Sequence, residues 1–226
     1  MSFFSHIKKA LIFHYEAHLQ YSFQRSLSFK RYRLRNLYPT IIANNCVGGK
    51  VYNDLSLRFN SPTINLFFSH TDFIEFLKNL DEYLSIEPIE YKTAEYQYPL
   101  GILKKDDKEI VIHFMHYDTF ETAKKKWIEH SKRVDLKKLY VIFDYAAHPD
   151  NKDEILNEFL SLDFNNQAIL TDASNLTLNN KSIVHISGYE HDIFPGKIFS
   201  FKPSKFRLRR YFDEFKYVRF LNKNRK

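Results

Sequence analysis

The order of hydrophobic and polar positions along this chain predicts an α/β protein that begins with a long helix. Over residues 5–35 apolar side chains fall near one helical face, and Pro39 closes the segment because the residue before a proline disfavours helix. The apolar run at 40–43 predicts a buried strand, and the amphipathic stretch 48–59 predicts the next helix. A short apolar run at 64–68 predicts a further strand.

The middle of the chain predicts one helix followed by a β-hairpin. Residues 71–84 carry an apolar stripe at helical spacing, with Thr71 as the expected N-cap. The segment 109–117 (EIVIHFMHY) has the strongest strand pattern of the chain, and a charged turn at 104–108 precedes it. We therefore expect a hairpin around that turn, and the other strand candidates of this region are 88–91 and 98–103.

After residue 118, helical and extended patterns alternate at the spacing of parallel βαβ units. The predicted helices are 119–133 and 151–160, and the predicted strands are 139–143, 167–170 and 182–186. Together with the earlier elements they predict a single three-layer α/β/α domain with a mixed, partly parallel sheet. A last helix is predicted within the tail, at 207–221.

Charge divides the chain into three parts. Residues 1–38 carry a net charge of +6 and residues 197–226 carry +9, so residues 39–196 carry −8 within the total of +7. We predict a basic amino-terminal amphipathic helix, an acidic α/β domain over 39–196 and a basic, aromatic carboxy-terminal tail. A uniformly basic nucleic-acid-binding domain does not fit this pattern, so nucleic acid is the weaker partner. Basic segments with interleaved aromatic residues favour contact with an anionic membrane surface.

The composition excludes several classes of protein. One cysteine in 226 residues excludes an internal disulfide framework and a cysteine-rich zinc site. No apolar run approaches the roughly 18–20 residues of a membrane span, and the first residues lack a signal-peptide pattern. We expect a cytoplasmic location, with peripheral contact at the inner face of the membrane. Glycine-rich nucleotide-binding motifs and the GxSxG motif are absent, so the cofactor stays unknown.

The stretch IIANNCVGG, residues 41–49, is the strongest candidate for a functional site. This stretch places Asn44, Asn45, Cys46, Gly48 and Gly49 at a predicted strand-to-helix turn. Backbone N–H groups at such a turn can hold an anion or a developing oxyanion. The sole cysteine, Cys46, fits either a nucleophile with a lowered pKa or a small buried residue. The asparagines fit either turn formation or binding of a sugar or phosphate, and the glycines favour close backbone approach.

Polar residues also follow the other predicted strands, where ligands of open α/β sheets bind. In chain order they are His116 and Tyr117, then Asp144, then Thr171 and Asp172, and then Gly188, Glu190 and His191. Because strand side chains alternate, His113 and His116 lie on opposite faces of their predicted strand. Either of them, or His191, could act as a base toward Cys46, and His116 is favoured because it lies nearer the strand end. His113 equally fits a core histidine, and no histidine spacing predicts a zinc site.

Four blocks of the chain, in this order, resemble a family of uncharacterised bacterial exopolysaccharide-biosynthesis proteins that carry a domain of unknown function. The blocks are IIANNCVGGKVYNDLSLRFNSPTINLFF, DFIEFLKNLDEYL, YPLGIL and IVIHFMHYDTFETAKKKW, within about residues 38–172. This chain departs from the family pattern at Ala43, Val47 and Ser56, where the pattern commonly has Ser, Trp and Gly. Members of that family are often encoded among capsule or lipopolysaccharide genes.

The resemblance implies a role in bacterial surface polysaccharide synthesis and leaves the reaction open. We expect a transferase that moves an acyl or glycosyl group onto a saccharide or lipid-linked saccharide, from an acyl-CoA or nucleotide-sugar donor. In this hypothesis Cys46 is the nucleophile and His116 the base. The expected ligand-binding residues are Asn44, Asn45, Gly48, Gly49, His113, Tyr117, Asp144 and His191. The main alternative is a non-catalytic saccharide-binding or assembly protein of the same pathway, and a nucleic-acid-binding protein is the weaker one.

Overall fold

The computed structural model of the protein describes residues 3–145, 152–171, 180–187, 197–202 and 208–223. The helices are α1 (Phe3–Arg33), α2 (Val47–Leu55), α3 (His70–Lys78), α4 (Leu80–Ser85), α5 (Phe120–Ser131), α6 (Lys152–Ser161) and α7 (Tyr217–Leu221). The strands are β1 (Thr40–Ala43), β2 (Ile89–Tyr91), β3 (Leu100–Lys105), β4 (Lys108–His113), β5 (Leu139–Asp144), β6 (Gln167–Thr171) and β7 (Ile183–His185). Short 3₁₀ helices lie at Leu136–Lys138, Lys197–Phe199 and Tyr211–Glu214.

A parallel sheet of four strands, in the order β1-β5-β6-β7, forms the centre of the described structure. Its register places Ile42 opposite Val141 and Ile142 opposite Ala168. The strands after residue 138 are parallel, as their alternation with helices predicts. β1 lies at the edge beside β5, which brings the chain that follows β1 next to the carboxyl end of β5.

The predicted hairpin belongs to a second, antiparallel sheet with the order β2-β3-β4. β3 and β4 pair with Leu103 opposite Ile110, and Asp106 in their turn has a left-handed conformation with φ 53°. Aspartate tolerates this conformation better than most residues because its short side chain can bond to nearby backbone. The fold is therefore α/β, as predicted, but the expected mixed sheet is two separate sheets.

The parallel sheet has two buried faces because its side chains alternate between them. Ile42, Val141 and Phe143 point to the first face, and Ile41 and Ile142 point to the second. The first face is covered by α3, α4, α5, α6 and the hairpin through the buried side chains of Phe73, Phe76, Tyr83, Ile112, Trp127 and Phe159. The second is covered by α2 and the carboxy-terminal segment through Val51, Tyr52, Phe212, Phe215, Phe220 and Leu221. This arrangement gives the three layers that the sequence predicts.

A buried cluster of charges joins α1, α2 and the carboxy-terminal segment. The Arg210 guanidinium donates to both carboxylate oxygens of Asp54, at 3.1 and 2.5 Å, and to Asp213 at 2.9 Å. Lys30 of α1 donates to Asp213 at 2.7 Å and to the Tyr217 hydroxyl at 2.8 Å. The Tyr217 hydroxyl in turn donates to Asp54 at 2.8 Å. Each buried charge therefore has a partner of opposite sign, which burial requires.

One predicted strand and one predicted helix differ from the structure for local reasons. The apolar run at 64–68 is not a strand, because Asn65 takes a left-handed conformation with φ 60° and only Phe67 pairs, with His113. The predicted helix 71–84 is interrupted at Asn79, which has φ −129° and separates α3 from α4. The N-cap of α3 is Ser69 rather than Thr71, since the Ser69 hydroxyl accepts from the backbone N–H of Asp72 at 3.1 Å.

The predicted helix 207–221 is also divided, over the part that the structure describes. Arg210 forms an antiparallel bridge with Phe201, and the 3₁₀ helix Tyr211–Glu214 follows it. α7 begins only at Tyr217. The Asp213 carboxylate accepts from the backbone N–H of Arg210 at 2.8 Å, which caps the short 3₁₀ turn where a continuous helix was expected.

Candidate functional site

The chain leaves the neighbouring strands β1 and β5 toward opposite faces of the sheet, so their carboxyl ends lie at a switch point of the topology. After β1 it enters α2 on the second face, where Val51 and Tyr52 are buried. After β5 it reaches α6 on the first face, where Leu156 and Phe159 are buried. In open α/β sheets, ligands bind outside the carboxyl ends of the strands where the connections diverge in this way. We call this place the β1–β5 crevice.

Asn44 joins the two strands at the base of the β1–β5 crevice. Its carboxamide oxygen accepts from the backbone N–H of Asp144 at 2.9 Å, and its amide nitrogen donates to the Asp144 carbonyl at 3.0 Å. A carboxamide carries the same donor and acceptor as a peptide group, so this pair continues the β1–β5 ladder beyond the end of β1. Asn44 is buried and its role here is structural.

Asn45 turns the chain from β1 into α2 and reaches across the crevice. Its side-chain oxygen accepts from the backbone N–H of Val47 at 3.0 Å, as in an Asx turn. Its amide nitrogen donates to a carboxylate oxygen of Asp144 at 2.7 Å. Asp144 is 7% exposed, so Asn45 holds a nearly buried carboxylate in one orientation at the end of β5. Sequence reasoning places both residues at strand ends, and the structure brings them together.

Cys46 occupies the N-cap position of α2 and is half-buried. Its side chain makes no capping hydrogen bond, and burial raises the pKa of the thiol. A nucleophilic cysteine needs the opposite shift, toward a thiolate at neutral pH. The condition on which the nucleophile hypothesis depends is therefore not met in this arrangement, although Cys46 does lie beside the crevice.

Gly48 and Gly49 lie in the first turn of α2, and both are buried. A Cβ on Gly48 would lie 3.2 Å from Ala43 Cβ and 3.5 Å from Ile41 Cγ2. The close backbone approach that the sequence predicts is thus an approach of α2 to β1. A Cβ on Gly49 would have Ile64 Cγ2 as its nearest atom, at 3.6 Å, which is an ordinary contact distance. The glycines serve helix–sheet packing, and binding by them stays a prediction.

His113 ends β4 inside a group of aromatic rings. Its ring stacks on Phe67 with centroids 4.2 Å apart, and it meets Tyr96 edge-on at 5.1 Å. Its Nδ1 lies 3.2 Å from the Tyr98 hydroxyl. Burial lowers the pKa of His113, so the ring is neutral at physiological pH. Phe68, the residue after Phe67, connects this part of the chain to the end of β1, because its backbone N–H donates to the Asn44 carbonyl at 2.8 Å.

The remaining predicted site residues lie further along the chain than the end of β4. The strand ends at His113, so His116 lies in the following turn, where its side chain is exposed. Tyr117 donates to the Ile64 carbonyl at 3.2 Å, and burial raises its pKa to about 12. No hydrogen bond among the described residues joins His116 to Cys46. His191 lies outside the described residues.

Sequence reasoning misses His70, which the structure places near the end of β5. It is the first residue of α3, and its ring lies 5.1 Å from the ring of Phe143 and 5.2 Å from that of Tyr145. The polar pattern at 69–72 signals a helix start, and nothing local relates it to β5, which is about 75 residues away in sequence. His70 is therefore a titratable side chain beside the crevice that only the fold reveals.

Two classes of feature are absent from the part of the chain that the structure describes. No three His, Cys, Asp or Glu side chains lie together as they would to hold a metal ion. No described helix is both long and apolar enough to cross a membrane.

Comparison with known proteins places nearly the whole chain in one family. A family model with the description "Domain of unknown function (DUF1919)" matches residues 18–222. A Haemophilus influenzae protein (strain ATCC 51907 / DSM 11121 / KW20 / Rd), described as an uncharacterized protein, is 35% identical over 190 residues. That alignment covers 84% of this chain and 87% of the relative. The matched region includes both sheets, the β1–β5 crevice and the carboxy-terminal segment.

Proposed function

This chain belongs to the DUF1919 family, and we propose that it is a glycosyltransferase of bacterial surface polysaccharide synthesis. The observation that carries the proposal is the β1–β5 crevice, where Asn45 holds the nearly buried Asp144 carboxylate at 2.7 Å. Open α/β sheets bind their ligands at such a place. The class of pathway comes from the four sequence blocks that resemble exopolysaccharide-biosynthesis proteins.

Asp144 is the residue for which we propose the central chemical role. Its carboxylate accepts the proton of an acceptor-sugar hydroxyl as that oxygen attacks the anomeric carbon of a nucleotide-sugar donor. The bond from the anomeric carbon to the donor phosphate breaks, and its electron pair stays on the departing phosphate. Asn45 orients the carboxylate through its amide donor. The acceptor is a saccharide or lipid-linked saccharide.

The alternative transfer, of an acyl group through Cys46, has less support. It needs a thiolate at neutral pH, and burial raises the pKa of Cys46. His116, the base proposed from the sequence, is exposed on a turn. The aromatic group of Phe67, Tyr96, Tyr98 and His113, which the chain joins to the end of β1 through Phe68, favours a sugar instead, because flat apolar ring faces with polar edges suit an amphipathic ligand.

The test compares two variants at the β1–β5 crevice and one control variant with the wild type, using a panel of nucleotide-sugar donors with saccharide acceptors. We expect Asp144→Asn to bind the donor normally and to lose turnover by roughly 10²–10⁴-fold, as removal of a general base does. Cys46→Ser should keep its turnover. Asp81→Asn, which changes an exposed carboxylate on α4, is the matched control. Loss of turnover in Cys46→Ser with Asp144→Asn unaffected would reject Asp144 as the base and assign the chemistry to Cys46, and turnover with acyl-CoA but with no nucleotide-sugar would replace glycosyl transfer by acyl transfer.

A saccharide-binding protein without catalysis is the second candidate. The hydrogen bonds from Asn44 and Asn45 to Asp144 favour this candidate. They fix a polar surface that could hydrogen-bond a saccharide without any proton transfer. Calorimetric saccharide binding that weakens in Asn45→Ala, with no product from any donor, would establish this candidate and reject the transferase.

A further inference from the structure

We propose that the end of α1 and the carboxy-terminal segment together form a docking surface for an anionic phospholipid bilayer. This inference does not depend on the reaction proposed for the β1–β5 crevice. It rests on a basic groove, on an exposed aromatic face of α1 and on the way in which the buried charge cluster holds both in place.

The two basic ends of the chain meet in one groove. The groove has a volume of about 920 Å³ and lies between the last turn of α1 and residues 213–223. Its cationic side chains are Lys30, Arg33, Arg35, Lys216, Arg219 and Lys223. Its one carboxylate, Asp213, is already bound by Lys30 and Arg210. The two segments are about 180 residues apart in sequence, so only the fold makes this concentration of charge.

Several of these cations lack an acidic partner. Within the described residues no carboxylate pairs with Arg33, Arg219 or Lys223, and all three are exposed. Lys216 is exposed as well, and its pKa is lowered by partial burial and then by the positive charges of Arg209 and Lys30. Crowded cations without counter-charges repel one another, and an anion placed among them relieves that repulsion.

The exposed face of α1 supplies the apolar part of the surface. Leu19, Phe23 and Leu27 are buried against the body, and the opposite face carries Tyr21, Phe29 and Tyr32, which are 62%, 58% and 86% exposed. Arg25 lies over the Tyr21 ring at 6.0 Å and Arg33 over the Phe29 ring at 5.5 Å. Exposed aromatic rings interleaved with arginines are typical of helices that lie in the membrane interface.

The basic surface continues past α1 onto the neighbouring turns. A second groove, of about 330 Å³, shares Arg35 with the first and adds Lys137 and Lys138. Tyr38, which is 67% exposed, lies beside it with the Lys138 ammonium 6.0 Å from its ring. The surface is therefore extended, as a planar bilayer requires. The exposed aromatic rings beside the cations favour a bilayer as the occupant, because the membrane interface takes up aromatic rings and cations together.

The first experiment measures co-sedimentation of the full chain with vesicles. We expect binding to vesicles of equal parts phosphatidylglycerol and phosphatidylcholine, and none to phosphatidylcholine alone. Arg219→Gln with Lys223→Gln should weaken binding roughly 30-fold, at about 1 kcal/mol for each charge near an anionic surface. Lys125→Gln with Lys132→Gln removes two exposed charges elsewhere and should bind as the wild type does. Equal effects from the two pairs would overturn the proposal.

The second experiment asks whether the aromatic face enters the bilayer. Tyr32→Trp places a fluorophore at the most exposed ring, and brominated phospholipids should quench it while leaving the buried Trp127 unchanged. Phe29→Ala with Tyr32→Ala should weaken vesicle binding, whereas Tyr91→Ala, on β2, should not. If duplex DNA or single-stranded RNA binds more tightly than the vesicles do, or position 32 is not quenched, the surface is a nucleic-acid or other polyanion site and the bilayer is rejected.

Discussion

Several single residues of this protein have structural roles that their residue types alone would not predict. Asn44 continues a strand ladder with its carboxamide, and Gly48 lets α2 approach β1. Asp213 links α1 to the carboxy-terminal segment through Lys30 and Arg210. Each of these roles depends on a contact distance and can be tested by one substitution.

The two neighbouring glycines of α2 should respond in opposite ways to alanine. Gly49→Ala should raise the free energy of unfolding by about 0.5–1 kcal/mol, because alanine favours helix and its Cβ would meet Ile64 at an ordinary distance of 3.6 Å. Gly48→Ala should lower it, because the new Cβ would lie 3.2 Å from Ala43 Cβ, which is fixed in the sheet. Urea unfolding of both variants measures the difference, and equal effects would contradict the packing role.

Asp213 should make stability depend on acid pH. Burial alone would raise its pKa, but hydrogen bonds from Arg210 and Lys30 outweigh burial and lower the pKa to about 2. The folded-state pKa is thus below the unfolded value of about 3.9, so the stabilisation is present above that pH and is lost as pH falls toward 2.

Asp213→Asn should therefore remove about 2 kcal/mol at pH 7 and should flatten the change in stability between pH 4 and pH 2. Urea unfolding at a series of pH values measures this. Asp81→Asn, at an exposed site on α4, is the control and should leave the pH profile unchanged.

At the scale of elements, the edge of the parallel sheet is closed by side chains. β1 lies at that edge, and the backbone N–H of Ile41 donates to the Tyr52 hydroxyl at 2.9 Å. The same hydroxyl donates to the Pro39 carbonyl at 2.9 Å. The N–H of Ala43 donates to the Thr63 hydroxyl at 3.1 Å. An edge strand with its backbone groups satisfied in this way cannot pair with another chain.

Removing the Tyr52 hydroxyl should be costly, although it deletes a single atom. In Tyr52→Phe the Ile41 N–H and the Pro39 carbonyl stay buried without that partner, at a cost of about 1–3 kcal/mol. Tyr83→Phe is the matched control, because it also removes a buried tyrosine hydroxyl, but one that has no hydrogen-bond partner among the described residues. Thermal unfolding should show a lower Tm for the first variant and an unchanged or higher one for the second.

At the scale of the whole molecule, the carboxy-terminal segment is part of the core. It covers the second face of the sheet with buried aromatic side chains and carries Arg210 of the charge cluster. The same segment presents Arg219 and Lys223 on its outer side. Folding of the body and formation of the proposed bilayer surface therefore depend on one stretch of chain.

A chain that ends at residue 209 should fail to fold. It would lose the buried side chains of Phe212, Phe215, Tyr217, Phe220 and Leu221. At about 1.5–3 kcal/mol for each, their loss is comparable to the total stability of roughly 5–15 kcal/mol of a typical domain. A chain that ends at residue 223 keeps all of them and should stay folded. Circular dichroism and solubility of the two truncations measure this, and a folded shorter chain would contradict the role of the segment.

The sequence by itself determined the elements whose pattern is local. The parallel strands after residue 138, the hairpin and the three-layer class follow from alternation and turn chemistry, which neighbouring residues encode. It also placed Asn45 and Asp144 at strand ends. It misplaced the N-cap of α3 and predicted a strand at 64–68, because the backbone conformation of Asn65 has no signature in the apolar pattern.

Only the tertiary structure decided which distant residues meet. The packing of the elements brings Asn45 within 2.7 Å of Asp144 at the β1–β5 crevice and places His70 beside the ring of Tyr145. The same packing joins the two basic ends in one groove. Contacts between residues 75 or more positions apart depend on burial of the whole sheet, a sum over many side chains that no local window of sequence contains.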